Sequence, residues 1–200
     1  MSIATVTEGL LLLAPVGGVA VSQFFGARPA VYRRFGLAGH EGIDYACAVG
    51  TPVMAAAGGV VWRAGNSAGP WGVRVIVRHE FGFTVYAHLS SVHVSPGQAV
   101  AAGQVLGLSG ATGNVTGPHL HFGLALPEAR PGFACPAVMG AHWWHDPLLI
   151  GDAVMAVRGG TLVRAAGDEA RGMRCTAHGF QQGGDVWLSL IHISEPTRPY

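Results

Sequence analysis

VRVIVRHEFGFTVYAHLS, residues 73–90, sets two short runs rich in Val, Ile, Thr and Tyr on either side of the segment HEFGF. Side chains alternate between the two faces of an extended strand, and β-branched and aromatic residues suit a pleated surface. The runs VRVIVRHE (73–80) and FTVYAHLS (83–90) therefore predict two strands joined at HEFGF as a hairpin. Strict alternation in the second run puts His88 on the face of Thr84 and Tyr86. Val85, Ala87 and Leu89 take the opposite, buried face.

Outward from this hairpin the same pattern recurs in GVAVSQFF (18–25), GGVVWRAG (58–65), AVAAGQVLGLSG (99–110) and HLHFGLAL (119–126). Glycine, at 31 residues, punctuates these runs together with Pro, Asn and Ser, and helical periodicity is scarce. The fold predicted is mainly β and antiparallel, with many turns. A chain of 200 residues, half of them apolar, can bury one full core and little more. That core is assigned to residues 16–150, closing with WWHDPLLI. Residues 151–187, richer in Arg and Asp, are expected to begin an incomplete second module or to add strands to the first. LSLIHISEPTRPY, 188–200, resembles a translated reading frame of a sequencing adapter, so His192 and Glu195 are given no role.

Composition removes several function classes. Net charge is +1 and no basic run occurs, which excludes the electrostatic footprint of a nucleic-acid binder. The apolar run LLLLAP from Leu10 is too short to span a bilayer, and it follows Glu8 with no Lys or Arg before it, so neither a membrane span nor a signal peptide is read there. Cys47, Cys135 and Cys175 are widely spaced with no C-x-x-C, so no thiolate metal cluster is indicated, although one disulfide is compatible with the count. A monomer is expected.

The chemistry concentrates in two stretches. In GPHLHF, 117–122, His119 and His121 share one strand face while Leu120 turns to the other. In GHEGIDYA, 39–46, His40 and Asp44 are four apart, and flanking glycines favour a loop entering a strand over a helix. An even spacing in a strand puts both side chains on one face. With His121 they make a set of two imidazoles and one carboxylate, three protein ligands that leave the fourth tetrahedral position of a zinc ion open. His119, about 7 Å along the strand from His121, is close enough to handle protons without binding metal. The Gly- and Ser-rich loops 64–70 and 109–117 are expected to flank a narrow cleft. His79, His93 and His178 are read as satisfied or exposed polar groups. His142, His145 and Asp146, beside two tryptophans and Pro147, are read as packing a domain end rather than as a second metal set.

Taken together, GHEGIDYACAVGTPVMAAAGGVV, the segment from Trp71 to Phe122 and WWHDPLLI resemble the lysostaphin/LytM-type zinc metalloendopeptidases of bacterial cell-wall turnover and phage lysis, over residues 16–150. The resemblance implies a barrel-sandwich-like catalytic domain of the duplicated hybrid motif type. It also implies one zinc ion held by His40, Asp44 and His121, with His119 and His88 as catalytic residues. Peptidoglycan is the implied substrate, met at the cell wall by a phage lysin or by part of a longer exported chain. One departure is Gly123 after HLHF, where the family commonly has an acidic residue, which is expected to alter the groove wall.

Three other readings compete. A LytM-like module without catalysis would bind cell wall or activate other hydrolases, but such modules usually lack a ligand and none is lacking here. SPGQAVAAGQVLG also resembles a lipoyl or biotinyl carrier, yet such carriers need an acceptor lysine and the chain contains none. A sugar-phosphotransfer carrier would use paired histidines without metal and leave Asp44 without a task.

Overall fold

The computed structural model describes residues 12–66, 69–127 and 142–150, and strand segments at 153–158, 161–165, 174–176, 179–182 and 185–187. The predicted hairpin is present as β5 (Val73–His79) and β6 (Gly82–Ala87), with His79 opposite Gly82 across a two-residue turn. Around it an eight-stranded antiparallel sheet forms in the order β1 (Val21–Gln23), β2 (Ile43–Tyr45), β10 (Leu120–Leu126), β6, β5, β4 (Gly59–Asn66) and β8 (Ala99–Val100). The eighth strand, β11 (Trp143–His145), pairs with the second half of β10, where β2 has ended. A smaller sheet orders β3 (Pro52–Met54), β9 (Val105–Ser109) and β7 (Leu89–Val92).

The larger sheet is buried on both faces. Val75, Val77, Tyr86, Leu120, Phe122 and Leu124 join Val53, Leu89 and Leu106 of the smaller sheet in the main core. The opposite face packs Trp71, Ile76, Phe83, Val85, Ala87, Ala125 and Trp144. This corrects the reading of residues 83–90 as a strand with one buried face, because Thr84 and Tyr86 are buried too. The predicted strand at 99–110 is two strands, split by a turn in which Gly103 takes φ 80. Of 18–25 only Val21–Gln23 pairs. Beyond the sheet that closes at His145, β12 (Leu149–Ile150), β13 (Ala153–Arg158) and β14 (Thr161–Ala165) form one three-stranded sheet. A second joins β15 (Arg174–Thr176), β16 (Gly179–Gln182) and β17 (Asp185–Trp187). Residues 188–200, Cys135 and His178 lie outside the described residues. Cys47 is buried as a free thiol, and burial pushes its pKa up.

His79 anchors the hairpin to the neighbouring strand. The Gly58 carbonyl can only accept, so Nδ1–H donates to it at 2.8 Å, and Nε2 meets the Thr84 hydroxyl at 2.7 Å, which in turn donates to the Tyr86 hydroxyl at 3.0 Å. Burial lowers the pKa of the ring against a smaller upward pull from the Gly58 bond, which favours the neutral form in the fold. An unfolded chain takes up this proton near pH ~6.5. The contribution is complete above that pH and is lost as pH falls through the depressed folded value. Thermal midpoints measured in chelator at pH 7.5 and 5 should fall more for the wild type than for His79→Gln, whose amide supplies one donor and one acceptor without titrating.

Gly123 has a packing reason. A Cβ there would lie 2.9 Å from Trp144 Cζ3, so the indole closes over the strand where the resemblance leads one to expect an acidic side chain. Gly123→Ala is expected to lower stability by ~1–3 kcal/mol through overpacking, readable as a drop in the denaturant midpoint at unchanged slope.

Candidate metal centre

Strand register brings the predicted ligands together. On β10, His121 stands opposite Asp44 of β2 on one side and Ala87 of β6 on the other. His40 precedes β2, and its backbone is tied down by bonds from His40 N to Ala27 O and from Gly26 N to His40 O. Gly42 makes the approach possible: a Cβ there would meet the Phe122 carbonyl and lie 2.8 Å from His121 Cε1. His40 Nε2 and His121 Nδ1 are 2.9 Å apart, and Asp44 Oδ1 lies 3.1 and 3.0 Å from them. All three residues are buried, and they form the metal-competent His/Asp group found among the described residues.

Proton bookkeeping shows what this cluster needs. His40 Nδ1 faces the Phe24 carbonyl at 3.2 Å and must carry its proton there, which leaves Nε2 as a lone pair. Three electron-rich atoms then converge with at most the His121 proton between them. Burial would raise the Asp44 pKa, but the hydrogen bond and charge from His121 outweigh it and hold the carboxyl well below its ordinary range. Burial likewise lowers His121, and the Asp44 hydrogen bond and charge outweigh it, so its pKa is raised. A positive centre is what both shifts reward. Two imidazole nitrogens and one carboxylate oxygen are the donor types zinc takes, so the residues fit that ion.

Two further imidazoles flank the cluster. His119 Nδ1 donates to Gly117 O at 2.9 Å, and its Nε2 lies 3.8 Å from Asp44 Oδ2. His88 Nδ1 donates to Thr112 O at 2.8 Å, and its ring centroid is 4.6 Å from that of His119. Each ring therefore keeps Nε2 as its basic atom. Burial foremost, with the His121 charge beside it, lowers the His88 pKa to about 4. His88 is not on the Thr84 and Tyr86 face as alternation predicts. Its backbone takes φ 63, between β6 and β7, and this left-handed step turns the ring over to the face of His121. Apart from Arg28, it is the non-glycine residue with positive φ among the described residues. Such strain persists where the surrounding structure fixes it.

The cluster opens into a cavity of about 220 Å³. Asn114, Val115 and Thr116 from the predicted 109–117 loop line it, and so does Pro70 from the predicted 64–70 loop, of which 64–66 are the end of β4 and 67 and 68 lie outside the described set. The facing wall went unread in the sequence: Arg28, Val31, Tyr32, Arg34 and Phe35, on a short helix α1 (Pro29–Tyr32) and a 3₁₀ turn (Arg33–Phe35). Pro29 at the first helical position and Gly36 just past the end were the available signals. Tyr32 accepts from Gln23 Nε2 at 2.6 Å, which leaves its phenolic proton free, and its ring is 5.3 Å from that of His40. Burial and the Asp44 and Glu41 charges push its pKa up to about 12 against the Gln23 bond, so it remains a donor. Trp71, stacked on His121, and Glu41, which accepts from Trp71 Nε1 at 3.0 Å, also escaped sequence reading. His145 is buried in β11, and His142 packs its ring on Phe83.

Residues 38–130 match Peptidase family M23. Peptidoglycan DD-endopeptidase ShyA of Vibrio cholerae is 47% identical over 97 residues, covering 48% of this chain and 22% of that protein. The catalytic domain of a variant of the prophage-encoded M23 protein EnpA from Enterococcus faecalis superposes with a TM-score of 0.53 at 29% identity, over 70% of this chain and 98% of that one. A zinc containing peptidase from Vibrio cholerae gives a TM-score of 0.50 at 32% identity, over 57% of this chain and 36% of that one. The matched part spans about a fifth of the length of the curated relatives. On its matched residues and its mostly β, antiparallel fold, the chain carries a peptidase family M23 domain.

Proposed function

We propose that this chain is a zinc-dependent endopeptidase that hydrolyses peptide bonds in the stem peptides or cross-bridges of peptidoglycan, acting at the cell wall. The observation that carries this reading is the convergence of His40 Nε2, Asp44 Oδ1 and His121 Nδ1 on one point, with His88 and His119 beside it. One ion per chain is expected, held by those three atoms. Zinc bound there supplies Lewis-acid chemistry, polarising a carbonyl and acidifying water. The similarity to a peptidoglycan DD-endopeptidase and to a zinc containing peptidase supports both the substrate class and the metal.

The chain's own residues supply the proton traffic. His119, with Nε2 basic and facing the Asp44 carboxylate, takes up the proton of the attacking water. His88 is neutral at pH 7 and shares this task. Once protonated, the pair donates to the tetrahedral oxyanion and returns a proton to the leaving amine. The Tyr32 phenol, still protonated, offers one more donor along the same wall. Residues 151–187 are proposed to begin a second module or extend the first, and the protein to act as a monomer. No helix among the described residues is long and apolar enough to cross a membrane. A non-catalytic module is not favoured, because every group of the set is present and assembled.

The test is the kind of bond cut. Purified peptidoglycan treated with the protein should release new primary amines, located by mass spectrometry at one peptide bond, with no new reducing sugar ends. New reducing ends without new amines would contradict the peptidase reading.

A further inference from the structure

His88 reaches the cleft on a backbone that no strand supports, with φ 63 between β6 and β7. A non-glycine residue keeps that conformation only where its neighbours fix it. Two bonds do so here: His88 N–H donates to Trp71 O at 3.0 Å, and Nδ1–H donates to Thr112 O at 2.8 Å. The second bond decides the chemistry. A half-turn of the ring about Cβ–Cγ exchanges Nδ1 with Cδ2 and Nε2 with Cε1, so the cleft would then meet a carbon where the basic atom should be. Thr112 O opposes that turn, and it keeps the ring proton on Nδ1, because a carbonyl can only accept.

Thr112 belongs to neither a strand nor a helix, so its carbonyl is only as well placed as the loop that carries it. Its side chain fastens that loop. Oγ1 accepts from Val73 N at 3.0 Å, at the start of β5, and donates to Leu89 O at 2.8 Å, at the start of β7 and next to His88 in the chain. Backbone packing closes the same joint. Asn114 N donates to Pro70 O at 2.8 Å, and a Cβ on Gly72, which takes φ 59, would lie 2.5 Å from Thr112 C and 2.7 Å from its Oγ1. We propose that Thr112 is a positioning residue for His88: its hydroxyl ties the loop to β5 and β7, so that its carbonyl holds the imidazole with Nε2 as the basic atom in the cleft. The proposal rests on the endopeptidase reading, in which His88 shares the proton transfer. A serine at 112 keeps the hydroxyl and both of its bonds. A valine of the same shape keeps neither.

Two measurements test this and separate its failure from that of the endopeptidase reading. The first needs no hydrolysis: the ring nitrogen resonances of His88 in the whole chain, assigned by their absence in His88→Gln, are recorded for wild type, Thr112→Ser and Thr112→Val. Wild type and Thr112→Ser should show a protonated Nδ1 and a bare Nε2, and in Thr112→Val the two nitrogens should move toward their tautomer average. A hydroxyl with a merely structural role would lower the thermal midpoint and leave this pattern intact, and that result overturns the proposal. The second follows hydrolysis of a soluble cross-linked peptide. Misplacing a reacting group costs on the order of 10²-fold, so Thr112→Val should lose about tenfold to a hundredfold in kcat, with KM and metal per chain unchanged, and Thr112→Ser should restore most of it. In a His88→Ala background the same substitution should cost less than about twofold, because residues that act through one another are not additive. An undiminished loss in that background overturns positioning through His88. If Thr112→Val does not fold, Thr112→Ala, which leaves room for water at Val73 N and Leu89 O, is read in the same way. A wild type that cuts no peptide sinks the peptidase reading, and the positioning of His88 then stands or falls on the nitrogen resonances alone.

Discussion

Asp44→Ala is expected to empty the metal centre. The carboxylate is the one anionic donor of the cluster, and its Oδ1 sits 3.0 and 3.1 Å from the two imidazole nitrogens. Without it two neutral nitrogens remain, 2.9 Å apart, with nothing to offset the charge of a divalent ion in a buried site. Losing a group that merely orients a ligand costs ~10–100-fold in metal affinity, and losing the charged ligand itself should exceed that range. Metal per chain, measured after dialysis against a weak chelator, should fall from about one to a small fraction, with amine release from peptidoglycan falling in parallel. Asp44→Ala protein that retains a full metal complement would show that the ion is held elsewhere.

His119→Ala is expected to separate metal binding from turnover. His119 donates Nδ1–H to its own loop at Gly117 and contacts Asp44 only at 3.8 Å, so removing the ring leaves the three donors in place. General acid–base groups typically contribute ~10²–10⁴-fold. A loss of that size in kcat is expected, with metal content unchanged and KM little altered. Near-wild-type turnover in His119→Ala would mean that the proton is handled by His88 alone. The two variants together divide the five-residue set into holders and movers, which metal content alone cannot do.

Much of this site is legible in the sequence because it obeys strand parity. His40 with Asp44 and His119 with His121 sit at even spacings, and β2 lies directly beside β10, so parity along each chain becomes proximity across the pair. His88 defeats the same rule. Alternation assumes an extended backbone, and the left-handed residue between β6 and β7 breaks it, so the ring arrives at the site on the face that parity denies it. The hairpin at 73–87 reads correctly because both of its strands are long and regular. The 99–110 stretch does not, because its apolar spacing runs through a turn that Gly103 marks. The wall formed by Arg28 to Phe35 is short, exposed and without a long apolar period, so composition reads it as loop. Glu41 and Trp71 become informative only through a contact thirty residues apart in the chain, which no local pattern encodes.

The most direct test of the metal-centred account is metal stoichiometry and amine release on one preparation, before chelation, after it and after zinc is restored. The account predicts about one zinc per chain, amine release abolished by chelator and activity recovered with zinc in proportion to the metal rebound. Amine release that continues undiminished in chelator, from protein that holds no metal, would contradict it.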